Sequence, residues 1–336
     1  MRAAIIHGKG SLEIRELPTP VPAVGQVRLR VTHVGICGSD LHYYVDGANG
    51  AFQIREPLVP GHELSGTVDL DPSGRLGAGT PVTVHPATFG TTRPGIDDKP
   101  HLWPGGSYLG SASTWPHTQG AMADYLVVDA PMVRRLPDGL PAERAALAEP
   151  LAVALHGINQ AGGVRGARVL VAGAGPIGLL AMGAALAEGA AEVTVTDVLP
   201  GPLRRAEALG ATATLDVTTH EVPLEAFDVV LECSGAPASI NAGLLAARRA
   251  AHYVQLGMVA DRPSAINLAP AISKEVTMRG SFRFNDEIDD AIGLLAEDER
   301  LGQVVTHTFN LSRVVEAFDT AQDSEGSGKV LVDLRA

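Results

Sequence analysis

The string GAGPIG, residues 173–178, constrains this chain more than any other feature, because it follows the apolar run ARVLVA directly and opens the helix-like run LLAMGAALAEG. In that context Gly173 permits a tight turn, Gly175 lets a pyrophosphate approach the backbone, and Gly178 lets helix and strand pack closely. Pro176 and Ile177 start the helix, whose N–H groups and dipole favour an anion. A second strand pattern, EVTVTD, ends on Asp197, 19 positions beyond Gly178, where a carboxylate accepts hydrogen bonds from an adenosine ribose. A glycine-rich turn with a helix-capping Asp is the alternative, and the complete strand-turn-helix-strand order favours the dinucleotide. Asp197 repels a 2′-phosphate and is followed by Val198 and Leu199 rather than Arg, so NAD is expected over NADP. Arg204 and Arg205, a turn further on, leave NADP open.

Around this string the text alternates between apolar strands and Ala/Leu-rich helices (EVTVTD, PLRRAEALG, FDVVLE), the grammar of a parallel sheet covered on both faces. The expected fold is α/β, a doubly wound Rossmann sheet over residues 153–284. Before it lies a mostly β region broken by Gly and Pro. The final stretch, from 285, is expected to rejoin that region, giving a catalytic domain of 1–152 and 285–336. A length of 336 residues fits two cores. Residues 86–118 lack apolar periodicity and form a long excursion loop, a type of segment that is usually functional.

The charge of −12 opposes a nucleic-acid partner, and no basic run offsets it. The N-terminal MRAAIIHGKGSLEI has neither the length nor the flanks of a signal peptide or spanning helix, so no membrane association and a cytoplasmic location are expected. The two cysteines, Cys37 and Cys233, make a disulfide framework improbable. Cys233, after the strand FDVVLE, reads as a small buried hydrophobe.

GICGSDLHYY contains Cys37, and LVPGHELSGTV contains the adjacent His62 and Glu63. Thiolate, imidazole and carboxylate together suit Zn(II). The separation of 25 positions from Cys37 to His62 matches no zinc-finger spacing. On spacing alone, a structural cysteine and a ligand both stay open.

GICGSD, GHELSG and GAGPIG, in that order along essentially the whole chain, resemble the zinc-containing medium-chain dehydrogenases. AEPLAVALH (148–156), GSASTWPHTQG (110–120) and RGSFRF (279–284) are similar to the polyol dehydrogenase branch. The resemblance implies a GroES-like catalytic domain and a zinc ion held by Cys37, His62 and Glu63. Glu149 would bind the metal's water or replace it as ligand, and Ser39 and His42 would relay the proton. The resemblance also places Ser281 and Arg283 at the cofactor, and Tyr43, Arg283 and Phe284 at the substrate. Each of these has a plainer alternative: His42 as a backbone cap, Tyr43 as core, Arg283 paired with the acidic cluster after 286.

The implied reaction is NAD(P)-linked oxidation of a secondary alcohol in a polyol or sugar acid. The first expectation is L-idonate to 5-ketogluconate, with sorbitol and xylitol as competitors. A homodimer or homotetramer is implied as well. The four cysteines that hold a second, structural zinc in many relatives are absent from 86–118, so one zinc per chain is expected. His85, His101 and His117, in or beside that loop, fit no standard metal spacing, and His117 is expected near the substrate. Two rivals stay open: a zinc-free quinone reductase and a non-catalytic NAD-binding sensor.

Overall fold

The computed structural model describes residues 1–335. The chain divides into two compact units, the first comprising Met1–Glu149, Leu295–Asp323 and Lys329 onward, the second Pro150–Leu294 and Ser324–Gly328.

The first unit is built on a seven-stranded sheet with the order Val133–Arg135, Pro81–Val84, Glu63–Leu70, Gln26–Gly35, Lys329–Asp333, Val305–Asn310; Tyr125–Asp129 also pairs with Gln26–Gly35. Strand Gln26–Gly35 alternates buried Val27, Leu29 and Val31 with more exposed neighbours, the period of a half-buried strand. Its end is apolar on both sides (Val34, Ile36), so it delivers the following Cys37 from the interior. The closing strand, Lys329–Asp333, lies antiparallel to it with Leu331 opposite Gly35, which sets the C-terminal strand beside the Cys37 segment.

The 86–118 loop is ordered by packing. Ala87–Thr88 pairs with Ser107–Tyr108. Trp103 Nε1 donates to the Ile96 carbonyl at 2.7 Å, and the Trp103 ring meets Phe89 edge-on at 6.5 Å, with Phe89 edge-on to His85 at 5.2 Å. His117 accepts the Arg55 N–H on Nε2 and bonds the Thr114 carbonyl through Nδ1, both at 2.9 Å. His85 and His117 thus act as local ties.

The second unit carries a six-stranded, all-parallel sheet ordered Ala213–Asp216, Glu192–Asp197, Arg168–Ala172, Phe227–Glu232, Ala247–Gln255, Thr277–Gly280. Numbered along the chain this is the 3-2-1-4-5-6 order of the doubly wound fold. The inner strands Glu192–Asp197, Arg168–Ala172 and Phe227–Glu232 are rich in Val and Leu, as strands covered on both faces are.

Within this unit a buried pair joins helix Ala148–Gln160 to helix Glu287–Glu297. His156 Nδ1 lies 2.8 Å from Glu287 Oε1, Asn159 donates to the same oxygen at 3.0 Å, and the Asn285 N–H donates to the other at 2.7 Å. Burial alone would raise the Glu287 carboxyl, but His156 and these donors prevail and hold it at about 2, below its ordinary 4.5. A depressed carboxylate contributes stability above its unfolded value and loses that contribution as pH falls towards its folded one. Glu287→Gln is therefore expected to cost about 2 kcal/mol at neutral pH and to flatten the loss of stability between pH 4.5 and 2. Thermal melts across that range check this; an unchanged acid slope would contradict it.

Candidate metal and dinucleotide sites

In the first unit, helix Gly38–Asp46 starts immediately after Cys37, its N-cap. Asp40, at the third helical position, reaches back to accept the Cys37 N–H on Oδ2 at 2.9 Å, half of a capping box. Its other oxygen accepts the Gly61 N–H at 3.0 Å. A single fully buried carboxylate thus ties the Cys37 turn to the segment carrying His62 and Glu63. Gly61 is at φ +94°, a left-handed conformation, and a Cβ there would lie 2.6 Å from Val34 Cγ1. Gly35 pairs with Glu63, and a Cβ on it would come within 2.0 Å of Glu63 Oε2. Glycine at position 35 is what makes room for the Glu63 carboxylate.

These constraints converge three donors. One ligand atom each from Cys37, His62 and Glu63 lies within 4.8 Å of the others, the one such group of His, Cys, Asp and Glu among the described residues. His62 is buried, and its Nδ1 has no hydrogen-bond partner. Burial alone would drive its proton off, yet the neighbouring Cys37, Asp40 and Glu149 outweigh burial and raise it to about 10. In the metal-free chain a proton is thus drawn to the point where negative groups meet. A divalent cation answers the same need with S, N and O donors, a set that fits zinc.

Glu63 carries a second constraint that sequence reasoning missed. Lys329 Nζ, 3% exposed, lies 2.7 Å from both Glu63 oxygens and donates to the Ile36 carbonyl at 3.1 Å. Burial would lower the ammonium's pKa, but Glu63, then Cys37, raise it instead. Glu149 is buried nearby in charge terms. Burial and Glu63 raise its carboxyl against the pull of His62 and Lys329, and Tyr108 donates its hydroxyl to Glu149 Oε1 at 2.5 Å. Tyr108 also meets the His62 ring edge-on at 5.4 Å. Glu149 lies outside the converging three.

The remaining first-unit candidates separate. Ser39 is half-buried beside Cys37. His42 is exposed, its Nδ1 3.3 Å from Asp46 on the same helix. Tyr43 is buried, and its hydroxyl accepts the Ala112 N–H at 3.0 Å, which gives it a place in the core and a tie to the 110–120 segment.

In the second unit Gly173 sits at φ +99°, and a Cβ on it would meet Ser234 at 2.9 Å; one on Gly178 would lie 1.9 Å from the Gly173 carbonyl. Gly175, the N-cap of helix Pro176–Ala187, faces open space, the room a pyrophosphate needs, with Pro176 and Ile177 beginning the helix. Asp197 Oδ2 accepts the Ala174 N–H at 2.8 Å, so this carboxylate holds the glycine turn. Beside them is a cavity of about 260 Å³ lined by Gly173, Asp197, Val198, Ser234 and Ala236, among others.

Its far wall depends on Glu232, which sequence reasoning passed over. This fully buried carboxylate accepts the Gly235 N–H at 2.9 Å, the Ser234 N–H at 3.1 Å, Ser239 Oγ at 2.9 Å and Gln255 Nε2 at 2.5 Å. Cys233 is half-buried next to it, and burial, then Glu232, push its thiol well up, which leaves it inert. Ser281 Oγ is buried without a hydrogen-bond partner. Arg283 adopts φ +54°, an uncommon conformation for a side-chain-bearing residue, and lays its guanidinium 4.8 Å from the Phe282 ring centroid. Phe284 is buried in the core.

Residues 176–297 match the zinc-binding dehydrogenase family, and residues 23–138 match the alcohol dehydrogenase GroES-like domain. The sorbitol dehydrogenase of Macaca fascicularis is 36% identical over 340 residues, covering 96% of this chain and 93% of that protein. The NAD(P)-dependent L-idonate 5-dehydrogenase of Escherichia coli K12 is 34% identical over 304 residues, covering 88% and 87%. Its crystal structure superimposes with a TM-score of 0.91 at 31% identity, covering 99% of this chain and 98% of that one. An alcohol dehydrogenase from E. coli CFT073, complexed with NADH, superimposes with a TM-score of 0.88 at 26% identity, covering 99% of each chain.

Removing the ammonium beside Glu63 separates its structural role from the metal's. Lys329→Met is expected to cost the zinc-free chain about 3 kcal/mol or more, because it leaves a buried carboxylate unpaired. Added zinc should recover most of that loss by supplying the missing positive charge. Melts with and without zinc check this; an equal loss in both would contradict it.

Proposed function

The chain belongs to the zinc-binding dehydrogenases of the medium-chain type, a zinc- and NAD(P)-dependent family of alcohol and polyol dehydrogenases, and from that premise we propose that it oxidises the 5-hydroxyl of L-idonate to 5-ketogluconate. The observation that carries the chemistry is the convergence of Cys37, His62 and Glu63 within 4.8 Å. Cys37, His62 and Glu63 would hold a zinc ion that supplies Lewis-acid polarisation of a substrate hydroxyl, and the dinucleotide held at the glycine turn would serve as the hydride acceptor.

The chain's own residues do the rest. Asp40 and Gly35 fix the donors, and Lys329 holds the Glu63 carboxylate in place. Glu149, buried on Tyr108, is a carboxyl poised to act on water or to enter the ligand set. Ser39 and the exposed His42 offer the proton a way to solvent. Gly173, Gly175, Gly178 and Asp197 hold the dinucleotide, with Ser281 and Arg283 as further contacts. Tyr43 and Phe284 are each buried in the core, so a supporting role suits each better than direct contact with the substrate.

The sugar-acid reading is supported by the structural likeness to the E. coli L-idonate enzyme. The identity to sorbitol dehydrogenase favours a second reading, oxidation of a neutral polyol. An oligomer built on the exposed edge strand Thr277–Gly280 and a cytoplasmic location, in keeping with the free Cys37 and Cys233, belong to the same proposal.

A panel of L-idonate, D-gluconate, sorbitol, xylitol, threonine and galactitol, each with NAD and NADP, tests it by absorbance of the reduced cofactor. L-Idonate with NAD is expected to give the highest kcat/KM; a lead for sorbitol or xylitol would move the assignment to the polyol reading. Cys37→Ser should abolish zinc retention and lower kcat/KM by more than the ~100-fold that loss of an outer-shell partner costs. Unchanged zinc content and turnover in that variant would remove Cys37 from the site.

A further inference from the structure

The dinucleotide reading leaves open which cofactor is taken, and a residue far along the chain bears on it. After Asp197 the backbone offers five positions from which a 2′-phosphate would seek donors. The Val198 and Leu199 N–H groups both donate to Asp197 Oδ1, at 2.7 and 3.0 Å. Pro200 and Pro202, the first and third residues of helix Pro200–Leu209, have no N–H. Gly201, between them, donates to Glu325 Oε2 at 2.9 Å. From 198 to 202, every backbone donor is either missing or already on a carboxylate. A helix N-terminus that would ordinarily welcome an anion has none to offer.

The cations are engaged in the same place. Arg204 donates to Glu325 Oε1 at 3.1 Å. Arg205 bonds the carbonyls of Glu325 and Ser324 at 3.0 and 2.8 Å. The stretch Ser324–Gly328 is part of the second unit, and its fit is close: a Cβ on Gly201 would lie 2.1 Å from the Glu325 carbonyl oxygen. The Glu325 carboxylate therefore bridges a helix N–H and an arginine, the pair of groups that a 2′-phosphate would otherwise recruit.

We propose that Glu325 is a cofactor-specificity residue that occupies the anion position beside the adenosine ribose and, together with Asp197, makes the site select NAD over NADP. The inference rests on the dinucleotide reading above. It differs from a simple ribose-carboxylate rule in one respect. Replacing Asp197 alone removes one repulsion but leaves Gly201 and Arg204 bound to Glu325, so the two changes must act together.

The test is a set of four holoenzymes: unmodified, Asp197→Asn, Glu325→Gln, and the double variant. Each is titrated with NADH and with NADPH by fluorescence, and the ratio of the two dissociation constants is read. Glu325→Gln keeps the side-chain volume. Each single change should shift the ratio towards NADPH, and the double should shift it about tenfold beyond the product of the singles, the signature of coupled groups. Adding Arg204→Gln to the double variant should cancel most of that excess. If the double equals the product of the singles while NADH still binds, or if Arg204→Gln changes nothing, the role of Glu325 is overturned and the dinucleotide site stands. If the unmodified enzyme binds neither dinucleotide, both readings fall.

Discussion

A carboxylate and an ammonium buried in the first unit's sheet set the terms for the metal site. Glu63 and Lys329 are 1% and 3% exposed at the side chain, at a depth where an unpaired charge is untenable. Glu63 starts one strand and Lys329 starts the strand that closes the sheet, with Gln26–Gly35 between them. The pair can form only when these three strands are assembled, so the placement of the Glu63 carboxylate depends on the C-terminal strand joining the sheet. The pair also fixes the orientation of the Glu63 carboxylate within the sheet. Asp40 does for the backbone what Lys329 does for the side chain, drawing the Cys37 and Gly61 N–H groups onto one carboxylate.

The same device recurs in the second unit. Asp197 holds Ala174, Val198 and Leu199; Glu232 holds Ser234 and Gly235; Glu325 holds Gly201. Each is an acidic side chain satisfying backbone donors in a turn that shapes a binding surface. Part of the chain's surplus of acid thus serves as internal anchoring rather than as solvated surface.

How far the sequence could be read follows from how local each feature is. The glycine turn, Asp197 and the parallel sheet were legible because a strand, six residues and a helix are contiguous. Cys37, His62 and Glu63 were named from resemblance, since spacing left a structural cysteine equally open. Lys329 and Asp40 were missed for different reasons. Lys329 finds its partner 266 positions away and reads locally as an ordinary polar start to the strand KVLVDL. Asp40 sits in the quoted string GICGSD, but its second bond, to Gly61, depends on tertiary structure. Glu232 left a signal that could have been used: an acid placed directly after the apolar run Val229, Val230 and Leu231 and before a Cys-Ser-Gly turn. The 86–118 loop was read as lacking a tetrathiolate staple; that Phe89 and Trp103 would order it depends on how the loop folds back on itself.

Zinc held by the Cys37 thiolate together with the His62 imidazole and the Glu63 carboxylate has a distinct signature in zinc-edge X-ray absorption on protein purified without chelators. One zinc per chain is expected, with one sulfur ligand at about 2.3 Å and the remaining ligands nitrogen or oxygen at about 2.0–2.2 Å. A site with no sulfur in the first shell, or a stoichiometry near two, would contradict it.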